Sequence, residues 1–197
     1  MRGGGTVSDQ LTERLNAILP KLISDEFLSG SGIGNEIAFH IFDYPPEEEL
    51  LVREHIQFLV GHLPKQRPGL RVNHVNLFDL VIEYLRGRKL LERAFQMQKE
   101  KGNEQLLKSL APILDAEKIA PAFTEMARPE ENDLILVSGI GSVWPVLRSH
   151  NLLNNLHSKM GKTPLVMFYP GRYDGKHLRL FGKVQSNPYY RAFRLIP

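Results

Sequence analysis

Strands and helices alternate along this chain as βα, βα with three more helices, βα, and then three strands. That order predicts a three-layer α/β fold around a mostly parallel central sheet, with edge strands at the C-terminus. Three observations carry the expectation. Leu134-Ile135-Leu136-Val137 is apolar at every position and reads as a strand buried on both faces. It runs into a glycine turn, Ser138–Ser142, and then a segment whose apolar side is Leu147, Leu152, Leu153 and Leu156. Strand, turn and helix together build ligand crevices at the carboxyl ends of parallel strands. The helical patterns over 88–127 fall between the second and third strands and predict a helical insertion. Residues 1–8, with three glycines, read as a flexible lead, and 9–197 as a single domain.

Taken in order, Leu11, Leu15, Ile18, Leu19 and Leu22 recur at helical spacing, so 9–23 is expected to be an amphipathic helix capped by Ser8 or Asp9. Ser29–Gly34 is a glycine-rich loop leading into a strand, Ile37–Phe42, which Asp43-Tyr44-Pro45-Pro46 ends. Glu47, Glu48 and Glu49 then start a helix where negative charge is favourable, and Val52, Ile56, Leu59 and Leu63 form its buried side. Arg71–Leu77 is expected as the second strand and Phe78–Leu85 as its helix. Two short helices follow, 89–100 and 105–114, with the break at Gly102-Asn103. Asp115 caps another helix that ends near Met126. Beyond the glycine turn one helix is expected, with Pro145 in its first turn. Leu165–Tyr169 is the fourth strand, ended by Pro170-Gly171. Leu178–Val184 and Arg191–Ile196 complete a hairpin-like finish at the sheet edge.

Bulk properties narrow the function classes. The net charge of +3 and pI near 9.1 permit nucleic acid as a partner without requiring it. With no cysteine there are no disulfides and no cysteine zinc sites, which suits a reducing cytoplasm. No apolar run approaches the roughly 18 residues of a membrane helix.

Short motifs argue mostly for structure. Gly161-Lys162-Thr163 matches the end of a P-loop, but Leu156 holds the place of its first glycine and Pro164 opens a strand where a helix is needed. Gly139-Ile140-Gly141 is in the context of a dinucleotide turn, yet Trp144 occupies the third glycine's position. A tight turn with Trp144 in the core is one reading. A turn that receives a phosphate or a partner's carboxylate through Gly139, Gly141 and Ser142 is the other. Asp43 and Asp79 follow the first two strands, where they either cap helices or act as crevice acids that bind metal or take protons. No pair of histidines has the helical spacing of a metal site, so none is expected, and no nucleophile elbow occurs.

The C-terminal fifty residues differ from the rest. From Arg148 onward there are nine basic residues and one acid, Asp174, interleaved with Tyr169, Tyr173, Phe181, Tyr189, Tyr190 and Phe193. That mixture serves single-stranded nucleic acid or an acidic protein partner. Partner docking is the preferred expectation, with Arg148, Arg172, Tyr173 and Arg191 as the contact residues.

Several long phrases then bear on identity: Asn76–Leu80 (NLFDL), Ser138–Leu156 (SGIGSVWPVLRSHNLLNNL), Phe168–Gly175 (FYPGRYDG) and Tyr189–Leu195 (YYRAFRL), with GNEI and FDYPPE nearer the start. In these the chain resembles the BrxB family, a small core component of the bacterial BREX (bacteriophage exclusion) defence systems. The resemblance spans about Leu11 to Pro197. It implies a cytoplasmic, non-enzymatic protein without cofactors that works by association. Its implied partners are the alkaline-phosphatase-like PglZ protein and, further, the BrxC ATPase and the BREX DNA methyltransferase. Beside this stand two alternatives from the residues: direct nucleic-acid binding through the basic, aromatic C-terminal segment, and a cryptic enzyme at the strand-end crevice; within the assembly reading any nucleic-acid contact is expected to be weak or indirect.

Overall fold

The computed structural model describes residues 7–29, 39–185 and 192–197. In chain order, α1 (Val7–Asn16), α2 (Ile18–Leu22) and α3 (Asp25–Ser29) precede β1 (Phe39–Tyr44) and α4 (Glu49–Gln66). Next come β2 (Val72–Asn76), α5 (Leu77–Gly87), α6 (Leu91–Leu110) and α7 (Ala116–Ala127). The third strand, β3 (Leu134–Ser138), leads to α8 (Ile140–Val143) and α9 (Ser149–Leu156). The remainder is β4 (Leu165–Tyr173), β5 (Leu178–Leu180), β6 (Val184–Gln185) and β7 (Ala192–Arg194).

The main sheet runs β2-β3-β4-β1-β7, and each neighbouring pair is parallel. Side chains alternate between its two faces. Leu134, Leu136, Val166, Phe168 and Phe42 point into a core closed by α1 to α4. Ile135, Val137, Met167, Val75 and Ile41 point the other way, into a core closed by α5, α7, α8 and α9. All five β3 residues are buried, as its unbroken apolar run requires. The three layers expected from the sequence are therefore present.

Local chemistry explains where the elements start and stop. Asp115 accepts a hydrogen bond from the Glu117 amide and caps α7 as expected. Val52, Ile56, Leu59 and Leu63 are the buried side of α4. Gly102 breaks α6 at the anticipated place, with φ 77° and ψ 177°. The N-terminal helix is interrupted at Ala17, because Pro20 has no N–H to offer the carbonyl of Asn16.

Several expectations change. Since α1 begins at Val7, Ser8 and Asp9 lie within the helix and neither caps it. The segment after the glycine turn is two helices, since proline pushes the residue before it towards extended geometry and Trp144 sits at φ −72°, ψ 140°. Trp144 also leaves the core: it is 40% exposed and meets Phe181 edge-on at 6.1 Å. The fourth strand does not end at Pro170. It continues to Tyr173, past the last residue paired with β3, so the missing proline N–H breaks no bond to that neighbour. There β4 pairs antiparallel with β5, and β5 with β6, while β7 lies parallel to β1. The Ser29–Gly34 loop beyond Ser29, the start of the first expected strand, Tyr189, Tyr190 and Arg191 lie outside the described residues.

Buried histidine makes this architecture pH-sensitive. His40 is 5% exposed, between Phe27 and Phe193, and its Nε2 has no hydrogen-bond partner among the described residues. Burial, helped by Lys21, pushes its pKa down from 6.5 to about 4. Burial also lowers His55, His74 and His150. The unfolded chain thus binds protons that the folded one refuses, and stability is lost as pH falls from about 6.5 towards 4. His40 alone accounts for on the order of 3 kcal/mol of this. Urea midpoints at pH 7 and near pH 4 are expected to converge in His40→Phe relative to the parent; an unchanged gap contradicts the assignment.

Candidate functional site

The carboxyl end of β1 places Asp43 where four parts of the chain meet. Its Oδ1 accepts from Arg14 Nη2 of α1 at 2.8 Å, and its Oδ2 accepts from the Tyr173 amide of β4 at 3.0 Å. Arg14 also donates to the Asp43 carbonyl at 2.8 Å and to the Ile196 carbonyl at 3.3 Å. Arg194 of β7 comes within 3.8 Å of Oδ2 and donates to the Tyr173 carbonyl. Asp43 is 9% exposed, so its charge is compensated by these donors more than by water.

Above this floor the β4 extension folds back on itself. Asp174 begins the reversal by accepting from the amides of His177 at 2.7 Å and Lys176 at 2.9 Å, and Gly175 takes φ 91°. Those two amide bonds, with His177 beside them, hold the Asp174 carboxyl down at about 2. Gly171 lets β5 approach, since a side chain there would collide with the Arg179 carbonyl. The resulting register sets Arg172 directly opposite Arg179. Like charges directly opposite on a strand pair destabilise it.

A cleft of about 400 Å³ opens here, lined by Asp43, Arg172, Asp174, His177, Arg179 and Arg194, with Tyr173 at its back. Asp43 is engaged by Arg14, and Asp174 by backbone amides. Arg179 makes a loose ion pair with Asp174 at 4.0 Å, and the Arg172 side chain has no ion pair or hydrogen bond among the described residues. The two exposed arginines thus line the cleft from opposed positions of one strand pair, and a guanidinium fork is a geometry that accepts an oxyanion.

Of the residues expected to bind, Asp43, Arg172 and Tyr173 converge at this cleft. Tyr173 contributes backbone there, because its ring is buried and its hydroxyl donates to the Ala192 carbonyl at 2.7 Å. The glycine turn lies elsewhere. At Gly139 (φ 77°) a side chain would strike the Asn76 carboxamide, and at Gly141 the Phe181 and Pro170 rings. The close approach that these glycines allow is taken up by the protein's own side chains. Ser142 is exposed at that turn, while the buried Ser138 hydroxyl lies 2.8 Å from His74 Nε2. Arg148 is exposed beside Trp144, on the rim of a 30 Å³ cavity that includes His150.

Asp43 and Asp79 do not share a crevice, because β3 and β4 stand between their strands. Neither caps a helix. The N-terminus of α4 has no side-chain cap, and Asn76 caps α5 by accepting from the Phe78 amide at 2.9 Å, leaving Asp79 exposed in the first turn. The partners that sequence reading missed are Arg14, His177, Arg179 and Arg194. Reading Asp174-Gly175 as a hairpin reversal would have brought Arg179 opposite Arg172. Nothing in the local sequence connects Arg14 to Asp43.

Fold and cleft together define a three-layer α/β protein with an arginine-lined cleft at its strand ends. The sequence comparisons specify it further. The profile of the family described as BREX protein BrxB matches residues 73–195. The BREX protein BrxB of Bacillus cereus (strain H3081.97) is 40% identical over 191 residues, covering 95% of this chain and 98% of the relative. That of Escherichia coli O9:H4 (strain HS) is 42% identical over 187 residues, covering 95% of this chain and 92% of the relative. No solved structure matches the chain. The chain belongs to the BrxB family, and membership implies a role in the BREX phage-defence system.

Opposite stability effects are expected inside this site. Asp43→Asn leaves Arg14 without a counter-charge and costs about 2 kcal/mol. Arg172→Gln removes a like-charge pairing and raises the melting midpoint by about 1–2 °C. Thermal melts of the two variants check both signs, and a destabilised Arg172→Gln contradicts the unpaired state described for Arg172.

Proposed function

We propose that this protein is a non-catalytic assembly subunit of a BREX defence complex. Its arginine-lined cleft docks a PglZ-like, alkaline-phosphatase-like protein and so links it to the DNA methylation and phage-restriction machinery. A BrxC-like ATPase and the BREX methyltransferase are the further neighbours in this reading. The observation that carries it is the Arg172–Arg179 pair: two charges set opposite each other at a cost to the fold, with their hydrogen-bonding capacity directed outward. Family membership supplies the setting.

Direct nucleic-acid binding draws less support. Single-strand binders stack bases on exposed aromatic rings beside their cations, but Tyr169 and Tyr173 are buried, and the exposed Trp144 and Phe193 do not line the arginine cleft. A strand-end enzyme built on Asp43 and Asp79 lacks the proximity that paired acids need. Arg148 does not line the cleft and is a separate contact candidate, as are Arg191 and the turn residues Gly139, Gly141 and Ser142.

The reading is tested by co-purifying the tagged protein with the products of its neighbouring genes, followed by size-exclusion chromatography at low and high salt. A stoichiometric complex with a PglZ-like protein is expected, and Arg172→Glu is expected to weaken it at least tenfold. Elution of the chain alone, or an undiminished complex with Arg172→Glu, contradicts the proposal.

A further inference from the structure

The cleft's own chemistry narrows what occupies it, given the docking role proposed above. We infer that the Arg172–Arg179 pair receives carboxylate side chains from an acidic segment of the protein partner. Three features of the molecule lead there.

Among the described residues, cationic side chains of the C-terminal fifty residues line more than one cleft. Arg172, Arg179 and Arg194 line the strand-end cleft, whereas Lys159 and Lys162 line a different cleft beside Arg71, Asp133 and Pro164, where the strands begin. Arg148 stands at a third place beside Trp144. A phosphodiester backbone gains affinity by neutralising a row of such charges, and here a strand would meet only one group of them.

Asp43 and Asp174 are built into the cleft walls, 3.8 Å from Arg194 and 4.0 Å from Arg179 respectively. Hydrogen bonds from the His177 and Lys176 amides keep Asp174 ionised, and acidic groups in the walls disfavour a densely charged polyanion. A carboxylate carries a single charge spread over two oxygens and fits the fork of one guanidinium or bridges two. Arg194 and Arg14 already serve Asp43 and the Tyr173 carbonyl. That leaves Arg172 without a side-chain partner among the described residues, with Arg179, held only by its 4.0 Å contact to Asp174, opposite it to complete the receiving pair.

The space itself is shaped for side chains. Among the described residues its 400 Å³ is lined mainly by charged side chains: the Tyr173 ring is packed in the core, and the His177 imidazole stands 3.4 Å from the Asp174 carboxylate. A carboxylate seated between Arg172 and Arg179 also removes their mutual repulsion, so binding and folding favour the same arrangement.

The test uses the full chain with two labelled probes of equal charge, an oligoglutamate peptide and a single-stranded oligodeoxynucleotide, read by fluorescence anisotropy. The expected result is that the peptide binds more tightly than the oligonucleotide and loses about tenfold or more in the Arg172→Gln/Arg179→Gln double variant. The Lys159→Gln/Lys162→Gln variant is expected to match the parent. Circular dichroism establishes that each variant is folded. An oligonucleotide that binds as tightly as the peptide and displaces it overturns the inference in favour of nucleic acid. Peptide binding that is undetectable, or unchanged in the arginine variant, overturns it as well. A PglZ-like complex that is weakened by Arg172→Glu, beside a peptide that fails to bind, leaves the assembly role standing and removes only the acidic segment.

Discussion

The Asp43 carboxylate holds the two ends of the chain against the middle of the sheet. It binds Arg14 of the first helix and the Tyr173 amide of β4, and it faces Arg194 from the last strand, while Arg14 also reaches the Ile196 carbonyl. A charge this buried is tolerated only where donors surround it. Here the donors come from segments far apart in sequence, so the interaction specifies a tertiary arrangement more than it adds net stability. It brings the N-terminal helix, β1, β4 and β7 to one point, and the cleft opens beside that point.

What rises above it is a departure from the simple parallel sheet. β4 outruns β3 and β1, and its free length pairs backward with β5, an arrangement that the missing side chain of Gly171 makes room for. Antiparallel register then opposes Arg172 and Arg179. Local consistency favours a sequence that avoids such pairs, and natural proteins break local rules mainly where function needs it. The same extension packs Phe181 against Gly141 and Trp144, so the glycine turn is in contact with the hairpin that carries the cleft.

Much of the fold was legible because its signals are local. An apolar run such as Leu134–Val137 has few alternatives to a buried strand, and Asp115 announces its helix by capping chemistry alone. Pro145 was seen but misplaced. Read as a residue of the first helical turn, it instead separates two helices, since its constraint falls on Trp144 before it. The site was legible only in part. Arg172 and Tyr173 stood out as a basic, aromatic phrase, but their meaning depends on Arg179 across a strand pair and on Asp43, which is 130 residues away from Tyr173. Composition told that the C-terminal third is basic. It did not tell that three groups of those charges lie on different parts of the surface. Arg14 had no signal at all, because its role comes from meeting Asp43 in space.

Hydrogen–deuterium exchange on the protein alone and within the complex purified from its own operon tests the central claim most directly. The account predicts new protection across 171–180 and at Arg194, where the cleft is. Protection confined to 158–164 at the opposite ends of the strands, with 171–180 exchanging as in the free protein, would contradict it.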